Sequence, residues 1–169
     1  DKLYWSFDET TGVLTITGSG DMYDFEYWDD QPWVANDYGI IGVSLPDGLT
    51  GIGKNAFACC HKLASITIPD SVAIIGREAF SDCTGLTSIT MPCSTTIEKD
   101  SFAMCDAIKN VHITKGTGTW ATDSISSSFG YVCQANTSAI TLEEGITSIG
   151  DYAFRDGNGL ESITIPDSV

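Results

Sequence analysis

Six cysteines, two histidines and a run of five acids are the residues of this 169-residue chain whose chemistry could exceed packing. The thiols are Cys59, Cys60, Cys83, Cys93, Cys105 and Cys133, a number that fits either a disulfide set or free cysteines. A thiol nucleophile needs a base within hydrogen-bonding reach and a third group to orient that base. His61 follows the Cys59-Cys60 pair, and His112 sits in the middle of a β-prone run. Neither comes with an evident orienting group, and no catalytic residue is expected. Metal sites draw on pairs such as Cys-x-x-Cys. That pair is absent, so no metal site and no cofactor are expected. The acids Asp21, Asp24, Glu26, Asp29 and Asp30 are the best cation candidates, because calcium takes several oxygen ligands. Their spacing lacks the Asp-x-Asp-x-Asp-Gly loop, and Tyr23, Phe25, Tyr27 and Trp28 interleave as packing residues. A solvated acidic face is expected there. Paired carboxylates for glycoside hydrolysis can be drawn from the same acids, but nothing implies a cleft around them.

These residues are positioned by a repeat. Ser65-Ile-Thr-Ile-Pro-Asp-Ser-Val72 returns unchanged as Ser162 to Val169. Between the copies one pattern recurs: Ile-x-Ile/Leu-Pro, then Ile-Gly, Ala-Phe, Cys and Leu. A first inward column is Val43, Ile66, Ile89, Val111, Ile140 and Ile163, with gaps of 23, 23, 22, 29 and 23 residues. A second is Leu45, Ile68, Met91, Ile113, Leu142 and Ile165. Ile52, Ile75, Ile97 and Ile149 follow, then Phe57, Phe80, Phe102 and Phe154, and Leu63, Leu86, Ile108 and Leu160 close each unit.

An Ile-x-Ile triplet sends two side chains to one face of a strand and the middle one to the other. Residues 43–45, 66–68, 89–91, 111–113, 140–142 and 163–165 are therefore expected to form one parallel sheet, one short strand per repeat. Ile-Gly-x-x-Ala-Phe has helix-like spacing and suits a short helix or turn behind the strand. Gly53, Gly76 and Gly150 are expected to permit a backbone turn there. One unit cannot bury its apolar face alone, so neighbours supply the core. The four phenylalanines are expected to be stacked and nearly fully buried. Cys60, Cys83 and Cys105 share a column three residues after each Phe. They are expected to be inward, unreactive thiols.

The units resemble the BspA-like leucine-rich repeats of bacterial surface proteins. Residues 64–86, from Ser65-Ile-Thr-Ile-Pro69 through Ile75-Gly76, Ala79-Phe80, Cys83 and Leu86, match that unit almost throughout. The resemblance covers about residues 40–169. It implies an α/β repeat solenoid, a right-handed coil. It also implies secreted or cell-surface adhesion, with protein or glycan binding and no catalytic residues.

Two units depart from the pattern. The third has Ile97-Glu98 in place of Ile-Gly. The fourth, 111–139, is irregular: Trp120 and Ile125 stand in for the Ile and Phe, and an insert around residues 130–139 holds Tyr131 and Cys133. Residues 1–39 read as an N-terminal cap. Tyr4–Phe7 and Val13–Thr17 alternate as a hairpin, and Asp30-Gln31-Pro32-Trp33 resembles a helix start. The final repeat lacks its covering residues. A fragment of a longer array is therefore expected, with an end-to-end self-contact through its last unit.

A formal charge of −15, from 23 acids against 8 bases, opposes nucleic acid and anionic membranes. No apolar run approaches the roughly 18 to 20 residues that span a bilayer. The candidate binding residues are the outward strand positions Ser44, Thr67, Thr90, His112, Thr141 and Thr164, with Tyr131 from the insert. Beside them runs Gly42, Ser65, Ser88, Asn110, Ala139 and Ser162. The expected function is a surface binding or adhesion module; the alternative is a passive spacer in a larger surface protein.

Overall fold

The computed structural model describes residues 2–116, 124–125, 132, 136–154 and 157–169. Among the described residues fourteen strands occur: β1 Leu3–Asp8, β2 Val13–Gly18, β3 Gly20–Asp21, β4 Gly42–Ser44, β5 Leu49–Ile52, β6 Ser65–Thr67, β7 Ile74–Ile75, β8 Ser88–Pro92, β9 Thr96–Ile97, β10 Asn110–Thr114, β11 Ser124–Ile125, β12 Ala139–Leu142, β13 Ser148–Ile149 and β14 Ser162–Thr164. A 3-10 helix at Val34–Gly39 is the one helix among the described residues. It starts later than the Asp30-Gln31-Pro32-Trp33 signal implies, and it ends at Gly39. The α/β expectation is corrected: parallel strands in sheets dominate, with almost no helix.

The principal sheet is parallel, in the order β14-β12-β10-β8-β6. Its register pairs Ile66 with Ile89, Ile89 with Val111, Val111 with Ile140, and Ile140 with Ile163. The repeat thus sets the register one full unit apart. Two further expectations need correction. The units from β4 to β13 carry two strands each: the second set forms its own parallel sheet, β3-β5-β7-β9, and β11 pairs with β13. The second strand escaped notice because Ile74-Ile75 and Thr96-Ile97 are too short to show alternation. Residues 43–45 also do not join the five-stranded sheet. β4 pairs with β2 in parallel, and β1 pairs with β2 as an antiparallel hairpin. The hairpin turn is fixed by the Asp8 carboxylate, which accepts from the Thr10 and Thr11 amides at 2.8 and 3.3 Å. Gly12 takes φ of 66° there, where a Cβ would strain the backbone and meet the Gly39 carbonyl.

Behind the strands the backbone makes tandem turns in place of a helix. The residues two before and two after the phenylalanines are left-handed without being glycine: Asn55, Glu78, Asp100 and Tyr152, then Cys59, Asp82 and Met104. Each such residue costs about 1 to 2 kcal/mol. The cost is offset by hydrogen bonds to the next unit. Asn55, Phe57 and Cys59 donate their amides to the carbonyls of Arg77, Ala79 and Ser81 at 3.1, 2.7 and 2.8 Å. Phe80 and Asp82 do the same to Ser101 and Ala103, each at 2.8 Å. Ala56, Ala58 and Cys60 close local turns to Gly53, Asn55 and Phe57. Every second amide thus reaches the neighbouring unit, which a helix does not allow. Gly53 and Gly76 do not take left-handed φ; glycine is needed for close approach. A Cβ on Gly53 would lie 2.1 Å from the Tyr23 carbonyl oxygen.

The core is one continuous column. Phe57 and Phe80 stack at 5.3 Å, Phe80 and Phe102 at 5.1 Å, and Trp33 stacks on Phe57 at 5.7 Å. All four are buried. Trp33 is also held by its indole N–H, which donates to the Ala56 carbonyl at 3.1 Å. Phe154 departs from expectation and is only partly buried at the edge of the core.

Candidate functional site

Two surfaces gather candidate residues. The first is the outward face of the five-stranded sheet. Thr67, Thr90, His112, Thr141 and Thr164 are paired directly across neighbouring strands. Ser65, Ser88, Asn110, Ala139 and Ser162 form the parallel row beside them. Strand spacing sets the rows' period at about 4.8 Å. Inward neighbours such as Ile66, Ile89, Val111 and Ile140 are buried, which locks the polar set outward. Five of the expected residues are thus brought together. Ser44 is exposed but lies in β4, opposite Thr15 of the hairpin sheet. Tyr131 lies outside the described residues, as do Cys133 and Trp120.

The second surface is the turn face. Cys59, Asp82 and Met104 occupy one repeat column, two residues after each phenylalanine. His61 follows Cys59 by two. Ligand atoms of Cys59, His61 and Asp82 lie within 4.8 Å of one another. The His61 Nδ1 is 2.9 Å from the Asp82 carbonyl oxygen and 4.0 Å from its Oδ2. A carbonyl only accepts, so Nδ1 is the donor in this contact. A cleft of about 600 Å³ opens beside the cluster, lined also by Glu26, Glu78 and Met104. Sequence reasoning dismissed metal chemistry for want of Cys-x-x-Cys. The signal it missed is the repeat itself, because residues 23 apart in one column become neighbours: Cys59 and Asp82 are such a pair.

The remaining thiols behave differently. Cys60, Cys83 and Cys105 are buried, unbridged and stacked in their column. Cys83 donates its S–H to the Phe57 carbonyl at 3.2 Å, and Cys105 donates to that of Phe80 at 2.9 Å. The hydrogen-bonding contact with the Cys105 thiol, followed by burial, holds the Cys83 thiol well above the usual thiol range. The acidic run is exposed, as expected, and three of its carboxylates also accept hydrogen bonds. Asp24 Oδ1 accepts from the Lys54 amide at 2.7 Å, Asp30 Oδ2 from the Tyr27 amide at 2.9 Å, and Asp21 Oδ1 from the Thr50 hydroxyl at 2.5 Å. No helix of the described residues is long and apolar enough to cross a membrane.

The family model for the BspA-type leucine-rich-repeat region matches residues 36–132 and 123–169, with six copies. The chain belongs to the BspA-type leucine-rich-repeat family. A leucine-rich-repeat protein of T. pallidum is 18% identical over 98% of this chain and 88% of its own, with a TM-score of 0.52. One from Eubacterium ventriosum is 17% identical, covering 91% of this chain and 68% of its own, at 0.45. A leucine-rich cell surface protein of Faecalibacterium prausnitzii is 20% identical, covering 96% and 54%, at 0.38. At such identities the first shows the repeat fold alone. No curated protein matches the chain. The BspA-type assignment agrees with the fold: matched repeats supply paired strands and a shared core.

Proposed function

We propose that this chain is a binding module of a secreted or cell-surface bacterial protein, presenting its five-stranded face to a protein or glycan partner. The observation that carries this reading is the registered outward row Thr67, Thr90, His112, Thr141 and Thr164. Such a row offers hydroxyl donors and acceptors at a regular period, on a face whose own backbone groups are already paired. Short hydroxyl side chains lose little entropy on binding. The BspA-type repeats support a surface module of this kind.

The finer architecture we read with it is a right-handed solenoid over residues 40–169, irregular at 111–139, with residues 1–39 as the cap. Trp33 extending the phenylalanine stack, and β3 extending the sheet of second strands through β5, support that division.

The test is a binding screen of the soluble chain against extracellular matrix proteins and a glycan array. Saturable binding to one class, lost when Thr90 and Thr141 are both replaced by arginine, is the expected result. Silence on both panels would leave the chain a passive spacer and overturn the reading.

A further inference from the structure

We propose that the turn face holds one transition-metal ion of the zinc class, ligated by the Cys59 thiolate, the His61 imidazole and an Asp82 carboxylate oxygen. The proposal stands apart from partner binding on the strand face.

Three observations carry it. The first is convergence: the Cys59 sulfur, a ring nitrogen of His61 and an Asp82 carboxylate oxygen lie within 4.8 Å of one another. Ligands bound at about 2.0 to 2.3 Å in a tetrahedron sit roughly 3 to 4 Å apart. The remaining contraction is within reach of side-chain rotation, since His61 and Asp82 are 32% and 35% exposed. The second is orientation. The Asp82 carbonyl accepts the Nδ1–H of His61 at 2.9 Å. Metal-bound histidines commonly donate their second ring N–H in this way, which fixes the tautomer. The third is a rigid base. Cys59 and Asp82 have φ of 62° and 59°, and their amides are bonded to the next unit at 2.8 Å each.

The donor set chooses the metal class. Thiolate, imidazole and carboxylate suit zinc and its neighbours, whereas calcium and magnesium take oxygen ligands. When the ion binds, a metal–sulfur bond forms and the Cys59 thiol proton passes to solvent. A fourth position faces the cleft, open to water or to a donor from a partner. Glu26, Glu78 and Asp82 line that cleft with carboxylates. Such surroundings attract a cation and oppose a thiolate nucleophile, which is activated by neighbouring positive charge. Metal binding is therefore favoured over Cys-His catalysis.

The experiment titrates the full 169-residue chain, metal-free and reduced, with cobalt(II) as a zinc surrogate. The expected result is a thiolate-to-cobalt charge-transfer band that saturates at one equivalent. Zinc should abolish the band by displacement and raise the melting temperature. Cys59→Ser leaves the other thiols in place and should lose the band. Asp82→Asn keeps the thiol and a side chain that tolerates left-handed backbone; it should bind cobalt at least tenfold more weakly while its metal-free melting temperature matches the parent. Absence of the band, its persistence in Cys59→Ser, or unchanged affinity in Asp82→Asn would each overturn the proposal.

Discussion

The strand face and the turn face are built on the same 23-residue period, yet they use it in opposite ways. On the strand face the outward column is nearly uniform, threonine at four of five positions, with His112 the exception. On the turn face the corresponding column reads Cys59, Asp82 and Met104, three unrelated chemistries at one backbone geometry. Both faces rest on buried columns that stack unit upon unit. The period fixes where a side chain points; the individual residue decides what it does there. A uniform column makes an extended surface, and a varied one makes a local site.

The shared core is where this comparison breaks most violently. Phe80 is enclosed between Phe57 and Phe102. Phe80→Ala should cost about 3 to 5 kcal/mol in chemical denaturation. Phe154→Ala should cost clearly less, because that ring is only partly buried. Equal losses at the two positions would show that stacking between units does not supply the stability.

A smaller effect is expected from the buried polar links between units. The Thr95 hydroxyl donates to the Val72 carbonyl at 2.9 Å, and both residues are buried. Thr95→Val keeps the shape and removes the donor. It should cost about 1 to 2 kcal/mol by denaturant melts.

The thiol column predicts a pH dependence. Cys83 has its folded pKa raised above the ordinary 9.0. The folded state therefore favours the neutral thiol. Its contribution is fully present below the unfolded value and is lost as pH rises beyond it toward the folded one. The melting temperature should fall with alkaline pH above about 9, and Cys83→Ala should flatten that part of the curve relative to the parent.

Much of the fold was legible in the sequence, for a physical reason. Residues such as Ile66, Ile89 and Phe80 are buried against the same residue types one unit away, so packing enforces the period that reading detects. The second strand of each unit was not legible, because two residues carry no alternation. Nor was the tandem-turn backbone: Asn55, Glu78 and Cys59 share left-handed φ but no residue type. That geometry is imposed by hydrogen bonds between units, which local propensity does not encode. Of the strand-face site, five positions follow from the repeat, and Ser44 separates because β4 takes the hairpin as its partner. The Cys59, His61 and Asp82 cluster was hidden by a search along the chain for motifs, since its members meet across units.

The smallest structural effect and the most direct test coincide on the strand face. Thr67, Thr90 and Thr141 project outward, so single arginine substitutions there should change stability by no more than about 0.5 kcal/mol. The deciding measurement is surface plasmon resonance of these three variants against a partner captured in the matrix-protein and glycan screen, with Lys62→Ala as a control on an exposed position outside the sheet. Our account predicts binding weakened tenfold or more by arginine at Thr90, less at the flanking positions, and unchanged in the control. Parent-like binding by all three arginine variants would contradict the claim that this face carries the partner.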